Sequence, residues 1–294
     1  MEKTIEQDML EGIRGYSIAI FAYNEQEHIK TCLDIIFQSV DDNLDKVYLL
    51  ANGCTDRTVD RAKELVEYSE RLEIVEISLG DKCNAWNHYI HNIATTKYIH
   101  FFVDADCLFS KDCFPKMYKS LKEAAQTTNI IAGMPLGGRN NAFYRSLVTD
   151  RSCFFGNLYG LHPRYLSVIQ SKNFKLPIGL NWIDSFLTKA ANTDINFFDY
   201  NLPQRVTYLD DAGFYFESLS PFKWQDIKLY KNRIARYELG KIQEKYLDAL
   251  PFDTWPASMR PINEKIAQNF SENTNELGLI KKMLVKIRLR KLLE

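Results

Sequence analysis

The stretch Tyr98-Ile-His-Phe-Phe-Val-Asp104-Ala-Asp106 decides the fold of this chain. It begins with a largely apolar run of strand length and passes directly into two carboxylates. An unbroken apolar run is typical of a strand that is buried on both faces, as in a parallel sheet covered by helices. The stretch therefore predicts a central parallel strand that ends at a polar rim.

Three similar runs precede this strand, and helical patterns separate them. We predict strands at residues 16–22, 46–51, 72–77 and 98–103, and helices at residues 27–40, 55–66, 81–94 and 111–126. This alternation predicts an α/β fold with a mostly parallel central sheet flanked by helices. Polar clusters at residues 23–25, 52–56 and 104–106 follow strands directly. Because ligands bind beyond the carboxyl ends of such strands, we expect the three clusters to form one rim.

The second half is less regular. We expect short strands at residues 156–162, 195–198, 207–209 and 213–217, and a long helix at residues 222–247. Pro251, Pro256 and Pro261 then indicate a linker.

Composition excludes several classes of protein. A net charge of -1 argues against a general nucleic-acid binder, which would normally be basic. The six cysteines include no Cys-x-x-Cys pair, so a zinc or redox site is not expected. Residues 1–14 do not resemble a signal peptide, and no apolar run approaches the roughly 20 residues that span a bilayer. We therefore expect a cytoplasmic protein, with membrane contact at most on the inner surface.

Asp104 and Asp106 are candidate metal ligands. A hard divalent cation prefers oxygen ligands, and Mg²⁺ or Mn²⁺ on a diphosphate takes one or two carboxylates. Asp-x-Asp is also a common chance pattern at a solvated strand end. Its position on the predicted rim favours the metal site.

Four segments together resemble a known family. They are Ile18-Ala-Ile-Phe-Ala-Tyr23-Asn24-Glu25, Leu49-Leu-Ala-Asn52-Gly53-Cys-Thr55-Asp56-Arg-Thr58, Gly80-Asp-Lys82-Cys-Asn-Ala-Trp86-Asn87 and Phe102-Val-Asp104-Ala-Asp106. In order and spacing they are similar to family 2 inverting glycosyltransferases of the GT-A fold. Fainter similarity continues at residues 156–164, at Trp182-Ile-Asp184 and at residues 233–240, which resemble a variant of Gln-x-x-Arg-Trp.

The resemblance implies a domain organisation and a donor site. An N-terminal arm (1–15) would precede a catalytic domain (16–250), with a nucleotide-binding half (16–110) and an acceptor-binding half (111–250), and a C-terminal helical extension (251–294) would follow. The donor would be a UDP-sugar in the first place. Because Asn52 stands where relatives usually have an acid, a GDP-sugar is the second candidate. The implied donor-binding residues are Ala22, Tyr23, Asn24, Glu25, Asn52, Lys82, Asp104, Ala105, Arg233 and Arg236.

The resemblance also implies the chemistry. Asp106 and Asp104 would hold Mg²⁺ or Mn²⁺, with Glu217 as a candidate third ligand. Asp184 would be the general base that takes the proton of an acceptor hydroxyl on a glycan, a lipid-linked molecule or another acceptor. The sugar moved would be a hexose or an N-acetylhexosamine, without nucleic acid as a partner.

Each of these residues also has a structural interpretation. Lys82 can be a surface charge at a helix start, and Asp184 a helix cap. Arg233 and Arg236 can lie on a solvated helix face, and Glu217 can be structural. Two other functions are a degenerate subunit that binds sugar nucleotide without turnover, and a sugar-phosphate nucleotidyltransferase. The latter needs a Gly-rich loop after the first strand, where this chain has Phe-Ala-Tyr-Asn-Glu.

The C-terminal segment 279–292 differs in character from the rest. It contains six cations, no acid and an apolar stripe that includes Ile280, Met283 and Ile287. Such a helix can lie on an anionic bilayer, or it can dock on the protein or on a second subunit.

Overall fold

The computed structural model describes residues 12–216 and 222–294. The strands are β1 (Gly15–Ala22), β2 (Leu44–Asn52), β3 (Leu72–Ile77), β4 (Tyr98–Asp104), β5 (Leu108–Phe109), β6 (Ile130–Pro135), β7 (Leu158–Leu161) and β8 (Val206–Tyr215). The helices are α1 (Ile29–Gln38), α2 (Thr58–Lys63), α3 (Lys82–His88), α4 (Cys113–Lys122), α5 (Asn141–Arg151), α6 (Pro163–Ser171), α7 (Ile183–Asn192), α8 (Trp224–Asp248), α9 (Arg260–Gln268), α10 (Phe270–Asn273) and α11 (Leu279–Leu293).

One sheet of eight strands forms the centre, in the order β3-β2-β1-β4-β7-β6-β8-β5. The pairs β2–β3, β1–β2 and β1–β4 are parallel, as the alternation of strand and helix predicts. β7 runs antiparallel to both β4 and β6, and it joins the two predicted halves of the catalytic domain. The predicted α/β fold with a GT-A type sheet and a C-terminal helical extension is confirmed.

The strand periodicity divides the core into two layers. In β1 every residue is buried, with Ile18 and Ile20 packing on one face of the sheet and Ala19 and Phe21 on the other. Burying both faces requires apolar residues throughout, and this is why the parallel strands lack a polar alternation.

The second half differs in detail from the sequence prediction. Residues 207–209 and 213–217 were expected as two strands, but residues 206–215 form the single strand β8. Residues 195–198 are not a strand, because Ile195 and Phe197 have φ values of 61° and 54°. The predicted helix at residues 81–94 is the α-helix α3 followed by a π-helical turn, Tyr89–Ile93.

The C-terminal extension packs onto the catalytic domain. Val285 and Leu289 of α11 are buried in the same core layer as Leu239 of α8. Lys281 Nζ lies 2.6 Å from Glu238 Oε1 on α8. Docking of the C-terminal helix on the protein is thus correct for one face of that helix. In the described part of the chain, no helix is long and apolar enough to cross a membrane.

Buried His100 on β4 gives the fold a predictable response to acid. Its Nδ1 lies 2.8 Å from Tyr89 Oη and its Nε2 lies 2.8 Å from the Thr95 carbonyl oxygen. Burial lowers the pKa of His100 to about 4. The unfolded chain takes up this proton near its ordinary pKa of about 6.5, so the stability that the neutral ring contributes is lost as the pH falls from 6.5 towards 4.

We therefore expect the His100→Gln variant to lose less stability on acidification than the unsubstituted protein. Between pH 6.5 and 5 the difference in the free energy of unfolding should be about 2 kcal/mol, at about 1.4 kcal/mol per pH unit. Urea unfolding at the two pH values measures it. An equal loss in His100→Gln would contradict the assignment.

Candidate active site

The loops after β1 and β2 are bound to each other. Asn24 has a φ of 57°, and its Oδ1 accepts hydrogen bonds from the backbone N–H groups of Thr55 (2.8 Å) and Asp56 (3.3 Å). The backbone N–H of Glu25 donates to Thr58 Oγ1 at 2.8 Å. Asn24 therefore shapes the rim, and its predicted contact with the donor stays a prediction.

Tyr23 and Glu25 are placed where a donor can reach them. The Tyr23 ring is 57% exposed and lies against Gly80. Burial raises the pKa of Glu25, and the nearby charges of Asp106 and Asp104 add to this effect. That influence puts the cluster after β1 beside the cluster after β4, as expected for a shared rim.

Asn52 has a structural contact that the sequence does not reveal. It is buried, and its Oδ1 accepts a hydrogen bond from the backbone N–H of Asp81 at 3.0 Å. The amide oxygen predicted to read the donor base thus already joins β2 to the start of α3. Ala22 and Ala105 are also buried, with their methyl groups in the core layer. The proposed donor contacts of all three residues stay predictions.

Lys82 lies inside the site. Asp81 caps α3 by accepting from the backbone N–H of Asn84, and this sets Lys82 at the first helical position. Lys82 Nζ lies 2.5 Å from Asp104 Oδ1 and 5.1 Å from the centroid of the Phe21 ring. The interpretation of Lys82 as a surface charge is therefore wrong.

The charges of this pair act on each other. Burial lowers the pKa of Lys82, but the negative charges of Asp104 and Asp184 outweigh it and raise the pKa above its ordinary value. Burial raises the pKa of Asp104 to about 6, against the opposing effect of the Lys82 ammonium and with the help of the Asp106 carboxylate. Lys82 is thus a cation held among carboxylates at neutral pH.

Gly156 brings the general-base candidate to the same point. A Cβ atom on Gly156 would lie 2.8 Å from Asp184 Oδ1 and 2.9 Å from Lys82 Nζ. The two side chains approach each other only because residue 156 has no side chain. No local pattern in the sequence marks Gly156 for this role, since a glycine beside a strand can equally serve a turn or a bulge.

Asp184 is not a helix cap. The N-cap residue of α7 is Trp182, without a side-chain capping bond, and Asp184 lies within the first turn. A carboxylate there is stabilised by the positive end of the helix dipole. The structure therefore contradicts the capping interpretation, while the general-base role stays a prediction.

The loop before α7 is held by hydrogen bonds from the N-cap of α3, from α8 and from α11, and α9 supports the bond from α8. Gly179 N–H donates to Asp81 Oδ2 at 2.9 Å, and Asn181 N–H donates to Gln243 Oε1 on α8 at 2.9 Å. Gln243 Nε2 donates to Asn263 Oδ1 on α9 at 2.8 Å, and Arg288 Nε on α11 donates to Asn181 Oδ1. The C-terminal extension thus supports the loop that leads into the helical turn of Asp184. These residues could not be found from the sequence, because nothing local marks a buried amide whose partner is far along the chain.

The segment resembling Gln-x-x-Arg-Trp borders the same loop. The rings of Trp182 and Tyr237 have centroids 6.1 Å apart, and Gly240 allows α8 to approach Trp182 closely. Arg233 and Arg236 are exposed on α8. Burial lowers the pKa of Arg288 to about 10, and the positive charge of Arg236 lowers it further.

The residues present fit a divalent cation at the end of β4. Asp104 is half-buried and Asp106 is exposed, and the charge of each carboxylate is unfavourable to the other. A bound cation relieves that repulsion, and two carboxylates suffice when a diphosphate and waters supply the other ligands. Among the described residues no group of three His, Cys, Asp or Glu side chains is arranged to hold a metal. Glu217, the predicted third ligand, lies outside the described residues.

Three solved structures share the fold of this chain. A mannosyltransferase from Pyrobaculum calidifontis, in complex with GDP-Man and Mn²⁺, aligns with a TM-score of 0.60 and 18% identity over 92% of this chain and 72% of that chain. TarS from S. aureus, in complex with UDP, gives 0.53 and 14% over 78% and 69%. Glucosyl-3-phosphoglycerate synthase from Mycobacterium tuberculosis, with Mn²⁺, UDP and product, gives 0.52 and 15% over 82% and 85%.

The sequence comparison assigns the family. No curated protein matches the chain in sequence. The profile of glycosyl transferase family 2 matches residues 17–171, which is more than half of the 294 residues. The matched segment contains the rim clusters, Lys82, Asp104, Asp106 and Gly156. The chain therefore belongs to glycosyl transferase family 2.

Proposed function

We propose that this protein transfers a sugar, with inversion, from a nucleoside diphosphate donor to an acceptor hydroxyl. The observation that carries the proposal is that Asp184 and Lys82 both border Gly156 and that Lys82 pairs with Asp104. A base, a cation and a metal-ligand candidate at one point are what a single displacement needs. A degenerate subunit would have no need to keep three charged side chains together in a half-buried site.

Asp184 acts on the acceptor side of the reaction. Its carboxylate takes the proton from the acceptor hydroxyl as that oxygen attacks the anomeric carbon. The bond from the anomeric carbon to the donor phosphate oxygen breaks, and its electron pair leaves with the nucleoside diphosphate. The proton on Asp184 then passes to solvent. Trp182 and Tyr237 offer aromatic faces beside this carboxylate for the ring of a glycan acceptor.

Lys82 acts on the donor side. Its ammonium remains charged at neutral pH and lies beside Asp104 at the end of β4. It is placed to stabilise the negative charge that grows on the departing diphosphate. Asp104 and Asp106 would hold Mg²⁺ or Mn²⁺, which when bound neutralises charge on that diphosphate.

The donor is a UDP-sugar in our proposal, with a GDP-sugar as the second candidate. Two of the structural neighbours were solved with UDP and one with GDP-Man. Asn52 offers an uncharged amide at the position of the usual acid, so base selection should be moderate. The transferred group is a hexose or an N-acetylhexosamine, and the acceptor is a hydroxyl of a glycan or of a lipid-linked molecule.

The first prediction for the proposed reaction concerns the metal and the donor. UDP should bind more tightly with Mn²⁺ than with EDTA, and Asp106→Asn should remove about tenfold of that gain, equivalent to about 1.4 kcal/mol. Isothermal calorimetry measures both. Asp211→Asn, which changes an exposed carboxylate paired with Lys116, is the matched control and should bind like the unsubstituted protein. Equal UDP affinity with Mn²⁺ and with EDTA would refute the metal site. Tighter binding of GDP than of UDP would reverse the donor assignment.

The second prediction is that Asp184→Asn retains donor affinity and loses transfer by about 10²–10⁴-fold. Asn is nearly isosteric but cannot accept the proton, so the loss should appear in kcat. Transfer assays with a panel of nucleotide sugars, together with UDP calorimetry, separate the two effects. Asp199→Asn changes an exposed carboxylate and should be fully active. Near-normal transfer by Asp184→Asn would remove this residue from the mechanism.

The third prediction tests the space at Gly156. In Gly156→Ala the new Cβ would meet only the ends of the Asp184 and Lys82 side chains, so the protein should fold while these two groups are displaced. A displacement of about 1 Å can cost about 10²-fold in rate, so we expect kcat to fall by about that factor with little change in Tm. Gly278→Ala, with open space around its Cβ, should leave kcat unchanged. An active Gly156→Ala enzyme would show that the close approach is not needed.

A further inference from the structure

The outer face of α11 is an apolar stripe open to solvent. Ile280, Met283 and Ile287 are 72%, 56% and 47% exposed, and Leu279 beside them is 86% exposed. Residues spaced three and four apart lie on one face of a helix, so these side chains form a continuous row. We call this row the α11 stripe.

The opposite face of α11 is fixed to the protein, and this sets the direction of the stripe. Val285 and Leu289 are buried, Lys281 pairs with Glu238 on α8, and Arg288 donates to Asn181. Turning the stripe towards the core would break all of these contacts. The stripe therefore faces away from the molecule in the folded protein.

Cations border the α11 stripe. Lys282, Lys286, Arg290 and Lys291 lie on or beside the outer face, and residues 279–293 contain no acid. Within the described residues none of these four cations makes an ion pair, although Lys286 Nζ lies 5.9 Å from the centroid of the Phe270 ring. The chain as a whole has a net charge of -1, so this helix concentrates positive charge on one surface.

We propose that the α11 stripe and its bordering cations lie on an anionic lipid bilayer. Apolar side chains would enter the boundary between headgroups and acyl chains, and Lys and Arg would contact lipid phosphates. A second copy of the chain fits the surface poorly. A two-fold interface brings the same patch from each subunit together, and here it would place cations opposite cations with no acid in residues 279–293 to pair with them.

The membrane surface also bears on the acceptor. Arg288 of α11 holds Asn181, three residues before Asp184, so the helix on the bilayer supports the loop of the proposed base. An acceptor anchored in the same membrane would then be concentrated near an enzyme that is held on that surface. This last step rests on the proposed function, whereas the membrane contact does not.

The test is flotation of the full chain with vesicles of phosphatidylcholine alone or mixed with phosphatidylglycerol. We expect binding only to the anionic vesicles, and weaker binding in high salt. Two variants separate the contributions: Met283→Gln/Ile287→Gln removes apolar contact, and Arg290→Glu/Lys291→Glu reverses charge. Each should lower the bound fraction at least tenfold. The control Lys111→Glu/Lys119→Glu makes the same charge change at two exposed positions near and on α4 and should float normally.

Three outcomes would overturn the proposal. The first is that the unsubstituted chain does not float with anionic vesicles, and the second is that the α11 variants float as well as it does. The third is a dimer by light scattering that Met283→Gln/Ile287→Gln converts to a monomer, which would assign the stripe to a second copy. Both measurements are independent of sugar transfer, so failure of the proposed reaction would leave them readable.

Discussion

The site depends on one cation held among carboxylates. Lys82 pairs with Asp104 and shares the space above Gly156 with Asp184, while Asp106 adds a further negative charge at the end of β4. Burying charges costs several kcal/mol per ion unless partners compensate, and for Asp104 the partner is the Lys82 ammonium. The group as a whole remains negative. Burial, with a smaller contribution from the charges of Asp106 and Asp184, raises the pKa of Asp104 to about 6 despite its ion pair. The excess of negative charge suits the site to a divalent cation.

The fold brings these charged side chains together by placing four separate segments at one edge of the sheet. Asp104 ends β4, Lys82 begins α3, and Asp184 lies in the first turn of α7. Gly156, in the segment before β7, has no side chain and so leaves room for the other two groups. β7 lies beside β4 and runs antiparallel to it. The residues just before β7, including Gly156, therefore lie at the carboxyl end of β4. In the proposed reaction the parallel half supplies the donor side and the mixed half the acceptor side.

The sequence could predict those parts of the site that are encoded locally. The apolar run before Asp104 and the polar clusters after β1 and β2 placed the rim correctly, because burial of both strand faces leaves a clear pattern. It could not predict contacts between distant residues. Asn181 and Gln243 are 62 residues apart and Asn181 and Arg288 are 107 apart, and an amide or an arginine at either end fits many environments. The same limit applies to Asn52, whose contact with Asp81 no local pattern indicates. Strand prediction at residues 195–198 failed for another reason. The aromatic and β-branched residues there favour a strand, but the backbone adopts left-handed conformations that only tertiary packing can enforce.

The C-terminal helix α11 has features that the sequence shows locally and features that only its packing reveals. Its cations and apolar residues are visible in the sequence, but which of them face inward is decided by packing on α8. Arg288 donates a hydrogen bond inward to Asn181, and the charge of Arg236 acts on it, so Arg288 does not belong to the outward-facing surface. Lys281 also faces inward, where it forms an ion pair with Glu238. The remaining cations border an apolar row that the docked inner face holds towards solvent, and a helix stabilised in this way does not need a membrane in order to fold. The helix therefore presents a preformed surface. A disordered tail would lose conformational entropy on binding, whereas this helix is already ordered by folding.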